Sequence, residues 1–316
     1  MTIRTPRRTM QSQRVLVTGG AGFIGSNLAN HLAETNDVIA LDDGYLGTPD
    51  NLDDEVEFVE ASVVDDDLPS DVDVLFHLAA LSSQKMHEEE PQRGARVNVE
   101  GFVNAVEQVR REGCDTVVYA STSSIYGDRT EPSPEDMPIE AGSGYEASKL
   151  ARERYAEYFA NRYEMTAAGM RFFSVYQGYG GSEEHKGEFA NIIAQFADDL
   201  ANGRPPVIYG DGSHTRDFTH VSDIVRGLEL AADHRLTGIY NLGTGESYAA
   251  NTVVEMLNDE LGTDIEPEHV ENPIDEDMFV HDTMADATKM HEATGWEPEI
   301  EFEEGIRRVC AQYEGQ

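Results

Sequence analysis

One stretch constrains this chain more than any other. A short apolar run, RVLVT (14–18), enters the string Thr18-Gly19-Gly20-Ala21-Gly22-Phe23-Ile24-Gly25 and emerges in a segment with helical periodicity over 23–33. The string satisfies both G-x-G-x-x-G and G-x-x-G-x-x-G. Glycines there permit a tight turn, close approach of backbone to a pyrophosphate, and close packing of helix on strand. The helix that follows turns free N–H groups and a partial positive charge toward the phosphates. A second apolar run, DVIALDD, ends in Asp42, seventeen residues past Gly25. A carboxylate at that place can accept both ribose hydroxyl protons of NAD. Asp43 follows it where an Arg would be wanted for a 2′-phosphate, so NAD is favoured over NADP. The expected cofactor contacts from this unit are Gly19, Gly22, Phe23, Ile24, Gly25, Asp42 and Asp43.

The same alternation continues along the chain. VEFVEAS, DVDVLFHLAA, DTVVYAS and TAAGMRFF read as further strands, and 95–112 and 145–163 as long helices. Near-continuously apolar strands alternating with helices imply a parallel sheet covered on both faces. The expected fold is α/β: a doubly wound parallel sheet over 14–175, with a smaller mixed α/β C-terminal lobe over 176–316 that is interleaved with the end of the sheet. At 316 residues the chain has room for two such units. Residues 1–13 read as a loose basic extension in which Met10 could be the true start.

Sixty-one acidic residues against 23 basic ones give a net charge of −38. That balance repels nucleic acid, and Arg4, Arg7 and Arg8 do not reverse it. Lysine is confined to Lys85, Lys149, Lys186 and Lys289, and the surface reads as one suited to high salt. No apolar stretch is long enough to span a membrane, and no secretory signal precedes the first strand. Cys114 and Cys310 suit a reducing cytoplasm, and the histidines lack metal-ligand spacing.

A second constellation carries chemistry. Tyr145-Glu146-Ala147-Ser148-Lys149 opens a helix, and Tyr and Lys at i and i+4 share one face. An ammonium beside a phenol favours the phenolate and gives an acid/base group usable near neutral pH. Upstream, the strand end YASTSSIYGD (119–128) offers hydroxyls that could bond a reacting oxygen.

With these motifs in order, the chain resembles the extended short-chain dehydrogenase/reductase superfamily, specifically the NAD-dependent nucleotide-sugar epimerases and dehydratases. The carriers are TGGAGFIGSNL (18–28), HLAA (77–80), RVNVEG (96–101), YASTSSIYGD, YEASK (145–149), RFFSVY (171–176), YGDGSHTRDFTHVSDI (209–224) and YNLGTGES (240–247). The resemblance implies that Leu78, Ala79 and Ala80 line the NAD groove, that Ser62 and Val63 face the adenine, and that Asn98 supports the groove. It makes Thr122 the catalytic Ser/Thr, Tyr145 the acid/base, and Lys149 its partner and a ribose contact. Ser82, Ser174 and Arg216 would face the nucleotide sugar, Arg216 at its diphosphate. Ser62 and Ser174 stand where the family carries Asp and Asn. The Arg found before the late Ala-Asp pair in many UDP-sugar 4-epimerases is replaced by the acidic run Asp275-Glu276-Asp277.

The segment Glu184-His185-Lys186-Gly187 is similar to one in ADP-heptose 6-epimerases, which implies Lys186 as a second acid/base or substrate contact. A UDP-glucose/UDP-galactose-type 4-epimerase is the leading expectation. Another sugar epimerase, a dehydratase, a reductase and a silent NAD-binding protein are the alternatives. The two long helices match the pair that forms a homodimer in the family.

Overall fold

The computed structural model describes residues 10–272 and 280–314. Six strands, β1 (Arg14–Thr18), β2 (Asp37–Asp42), β3 (Glu57–Glu60), β4 (Val74–His77), β5 (Thr116–Ala120) and β6 (Thr166–Phe172), join the edge strand Gly238–Leu242 in one sheet. Its order is Gly238–Leu242, β6, β5, β4, β1, β2, β3. Every pairing is parallel. The order reverses between β1 and β4, and a crevice opens beyond their C-terminal ends, where such sheets bind ligands. This is the expected doubly wound fold.

Both faces of the sheet are apolar because successive side chains alternate sides. In β1, Val15 and Val17 pack with Leu28 and Leu32 of α1 (Phe23–Ala33) and with Ile224 and Leu228 of the helix Val221–Asp233. Leu16, between them, packs on the other side with Phe102, Val106 and Phe159 from the helices Gly101–Arg111 and Gly144–Tyr163. A third core fills the second lobe, where Ile193, Phe196, Phe218, Val253, Phe302 and Val309 meet. The edge strand Gly238–Leu242 and the helix Val221–Asp233 belong to the later half of the chain yet complete the first sheet and its cover.

Two expectations change. The described part of the N-terminal extension is not loose. Met10 is buried in the core, and its carbonyl accepts from Thr35 Oγ1 (3.1 Å) and Asn36 Nδ2 (3.3 Å). Arg4, Arg7 and Arg8 lie outside the described residues, as do Asp275, Glu276 and Asp277. The expected helix over 95–112 changes in detail: it starts earlier, at Pro91, and runs without interruption to Arg111, with a wide π-helical turn, Arg96–Glu100, in its course. Such wide turns accompany functional positions, and here the turn buries Asn98.

Candidate active site

The crevice at the strand ends is a cleft of about 430 Å³. It gathers Gly19, Gly22, Phe23, Ile24, Gly25, Asp42, Asp43, Ser62, Val63, Leu78, Ala79, Ala80, Ser82, Thr122, Tyr145, Lys149, Ser174 and Lys186. Of the residues expected at the site, only Asn98 and Arg216 do not line it.

The cofactor side is built from backbone. A Cβ on Gly25 would come within 1.9 Å of the Gly19 carbonyl oxygen, so glycine there lets α1 close on the turn. A Cβ on Gly22 would meet only that same oxygen, at 3.3 Å, and otherwise project into open space. The first-turn amides of α1 have no acceptor within the helix. Asp42 is buried at the end of β2 and accepts from Ala21 N (3.2 Å) and Gly44 N (3.0 Å). Burial raises its pKa, against the pull of those two amides. A buried carboxylate with spare lone pairs fits a pair of ribose hydroxyls, and the open cradle beside Gly22 fits a pyrophosphate; the residues present suit a dinucleotide. Asp43 turns to Tyr45 N (3.1 Å) and toward Arg93 (3.9 Å).

At the far end of the cleft, β5 ends at Ala120 and the helix Gly144–Tyr163 begins, capped by Ser143, whose hydroxyl accepts from Glu146 N. Tyr145 stands between Thr122, whose hydroxyl lowers the phenol's pKa, and the imidazole of His87, edge-on at 5.7 Å. Thr122 Oγ1 also pairs with Ser124 Oγ (3.0 Å). Lys149 Nζ lies 5.6 Å from the centre of the Tyr145 ring and donates to the Ala120 carbonyl (3.3 Å).

The electrostatics differ from the expectation in one respect. Burial pushes the Tyr145 phenol above its ordinary value, while the Thr122 hydroxyl and the Arg152 charge pull it down. Lys149 is itself driven well below the ordinary lysine range by burial and by Arg152. Burial thus works against the phenolate, and the desolvated lysine offers less positive charge to offset it than an exposed one would.

Several residues that sequence reasoning passed over hold this geometry. Arg152 Nε donates to the Asn98 carbonyl (2.5 Å) and Nη2 to the Ala79 carbonyl (2.6 Å), tying two cleft walls to the catalytic helix. Burial pulls its pKa down to about 10. Arg152 stands three residues after Lys149 and seven after Tyr145, on one helical face, and that spacing was the available signal. Asn98, which the resemblance already assigned to support of the groove, accepts at Oδ1 from Leu81 N (2.8 Å), and its amide nitrogen contacts His87 Nε2 (2.9 Å) and Ser148 Oγ (2.9 Å). Glu153 pairs with Arg171 at 2.8 Å, both almost fully buried, and accepts from Ser121 Oγ (2.6 Å). Arg93 stacks on Tyr45 with its guanidinium 3.7 Å from the ring centre.

Arg216 sits in the second lobe on the strand Thr215–Arg216 and donates to the carbonyls of Thr215, Val280 and His281. Its neighbour Asp217 is buried and accepts from the amides of Thr244, Gly245 and Ala285.

A dinucleotide cradle and a Tyr-Lys-Thr cluster at opposite ends of one cleft define an NAD-dependent oxidoreductive site on a doubly wound sheet. The sequence model of the NAD dependent epimerase/dehydratase family matches residues 15–243, and the chain belongs to that family, whose cofactor is NAD. UDP-glucose 4-epimerase of Mycolicibacterium smegmatis is 35% identical over 310 residues, covering 94% of this chain and 97% of that protein. Among solved structures, UDP-N-acetylglucosamine 4-epimerase of Methanobrevibacter ruminantium, in complex with UDP-N-acetylmuramic acid, superposes with a TM-score of 0.89 at 29% identity. That match covers 96% of this chain and 99% of that one. UDP-glucose 4-epimerase of Thermus thermophilus in complex with NAD gives 0.83 at 30% identity, covering 96% and 99%.

Proposed function

We propose that this chain is a 4-epimerase of a UDP-hexose. The observation that carries the reading is what stands around Tyr145. Thr122, Ser123 and Ser124 supply hydroxyls, and the only carboxylates among the described residues lining the cleft are Asp42 and Asp43, in the ribose loop. A 4,6-dehydration needs acid/base groups for neighbouring sugar carbons, and Ser123 and Ser124 supply none. The two relatives above that act on different UDP-sugars support the nucleotide and leave the hexose to experiment.

In this reading Tyr145 takes the proton of the sugar hydroxyl at its phenolic oxygen, and Thr122 donates a hydrogen bond to the oxygen left behind. NAD, when bound, would supply the reversible hydride acceptor for the carbon that bears this oxygen, the hydride returning to the opposite face of that carbon. The keto sugar turns over, and Tyr145 returns the proton on the other side. Lys149 and Arg152 hold the phenol in place from beneath. Leu78, Ala79 and Ala80 form the groove wall, Ser174 faces the nucleotide sugar from the cleft, and the second lobe (176–316) takes it, Arg216 joining at the diphosphate on releasing the carbonyls of Val280 and His281.

A homodimer through the helices Gly101–Arg111 and Gly144–Tyr163 is part of the proposal, supported by the exposure of Tyr155 (42%) and Tyr158 (47%) on the second. So is a cytoplasmic setting: Cys114 and Cys310 are buried and unpaired. No helix among the described residues is long and apolar enough to cross a membrane.

The test is incubation with UDP-, ADP-, GDP- and dTDP-sugars and NMR of the product. Inversion at one sugar carbon of a UDP-hexose without net NADH is expected. The variant Tyr145→Phe should lose at least about 10²-fold in turnover while keeping NAD. Near-normal turnover in that variant, or a 4-keto-6-deoxy product from the native enzyme, would overturn the reading.

A further inference from the structure

The segment Gln177–Asn191 crosses the cofactor groove as a strap pinned on both sides. On one side, Gln177 exchanges two side-chain hydrogen bonds with Asn27 of α1 (2.9 and 3.0 Å). His185 Nδ1 meets Asn51 Nδ2 (3.1 Å) in the turn after β2. On the other side, Glu188 pairs with Lys85, which follows β4. Internally, Glu183 is fully buried and accepts from the amides of Gln177 (2.8 Å), Gly178 (2.9 Å) and Asn191 (2.8 Å), drawing the ends of the strap together.

Lys186 hangs from the middle of this strap into the cleft. Its ammonium lies 5.3 Å from the centre of the Phe23 ring, at the first residue of α1. No hydrogen bond or ion pair among the described residues uses it, and Glu183, the carboxylate whose charge acts on it, is already engaged by three amides. Some of the side chain keeps an exposed surface, yet enough protein surrounds the ammonium that desolvation lowers its pKa. A desolvated cation without a partner is costly unless an anion completes it. The one other feature at that spot, the open first turn of α1, also calls for an anion. Lys186 stands over Phe23, at the glycine turn, whereas Tyr145 stands beside Thr122, Lys149 and His87.

We propose that Lys186 is a diphosphate ligand. Its ammonium and the first-turn amides of α1 hold the cofactor's pyrophosphate from opposite sides, and the strap keeps the dinucleotide in place through the catalytic cycle. This rests on the NAD assignment and replaces a proton-transfer role for Lys186. A diphosphate is also present in a nucleotide sugar, and position over Phe23, at the start of α1, selects the dinucleotide.

The experiment compares wild type, Lys186→Met and Lys186→Arg, each checked for folding by circular dichroism. NAD retained after gel filtration and its dissociation rate are measured without sugar nucleotide, and UDP affinity is measured by calorimetry. The Met variant is expected to release NAD about 10- to 100-fold faster, the Arg variant to recover most of the retention, and UDP affinity to stay constant. Unchanged NAD release in the Met variant overturns the proposal. So does weakened UDP binding with NAD held normally, which places Lys186 on the sugar nucleotide instead. Wild type that neither carries nor binds NAD overturns the cofactor reading itself, and the proposal falls with it.

Discussion

Tyr145, the acid/base group of the proposed reaction, has protein surroundings that oppose its ionisation. Burial raises the phenol's pKa, and the Thr122 hydroxyl is the strongest influence acting the other way. Replacing Thr122 by Val removes that hydroxyl, so the phenol pKa should rise further. The base form is the phenolate, which is depleted below its pKa. The acid limb of kcat/KM should therefore move to higher pH in Thr122→Val, and turnover near neutrality should fall about 10²-fold. A pH–rate profile from pH 5 to 10 checks both, and an unmoved limb would mean that Thr122 only shapes the pocket. At this scale the motif residues were legible because their spacing and strand-end setting repeat a known pattern. The supporting residues were harder to see. Arg152 and Glu153 look like ordinary surface charges in sequence, and only the crossing of the helix over β5 and β6 turns them inward. His87 gave no signal, because its place beside Tyr145 depends on the chain path after β4.

Among elements, the helix Gly144–Tyr163 carries the most consequence, and its inward face is held by charge as much as by apolar packing. The Glu153–Arg171 pair joins it to β6, with exposures of 5% and 2%, while Ser121 adds the end of β5 and Tyr126 accepts from Arg171 (2.8 Å). Breaking one partner leaves a buried charge unmet. Glu153→Ala should lower unfolding free energy by about 3–5 kcal/mol, and Tyr145 should lose its register with Thr122. The double variant Glu153→Leu/Arg171→Met should recover much of the loss. Chemical denaturation of both measures this, and equal stability of wild type and Glu153→Ala would show that water already reaches Arg171. Strands and helices were readable to within a few residues wherever an apolar run ended in a turn signal: α1 was expected and is found over 23–33. The π-helical turn at Arg96–Glu100 was not readable. A π-helical turn inserts a residue without changing the apolar pattern on either side, so 95–112 reads as one helix.

The whole molecule is dominated by its charge of −38. The acidic triplets Asp53-Asp54-Glu55, Asp65-Asp66-Asp67 and Glu88-Glu89-Glu90 are all exposed, as their composition requires, because burying three adjacent carboxylates would cost far more than the fold could return. The cations are largely committed already. Arg204 spans Asp198 and Asp199, and Arg110 and Arg111 share Glu107. What remains is net repulsion spread over the surface, and it acts against the compact state. We propose that this is a protein of concentrated salt. At 0.1 M salt the screening length is about 10 Å, long enough for neighbouring triplets to repel; near 1 M it is about 3 Å, shorter than most separations between them. Salt therefore removes a destabilising term, and the surface ion pairs it also weakens are individually worth about 0–1 kcal/mol, so the repulsion decides the sign. Between 0.1 M and 3 M KCl the thermal midpoint should rise by on the order of 10 °C, most steeply below 1 M. Scanning calorimetry in a KCl series decides it, and a midpoint that is highest in dilute buffer would show that the acidic surface does not govern stability.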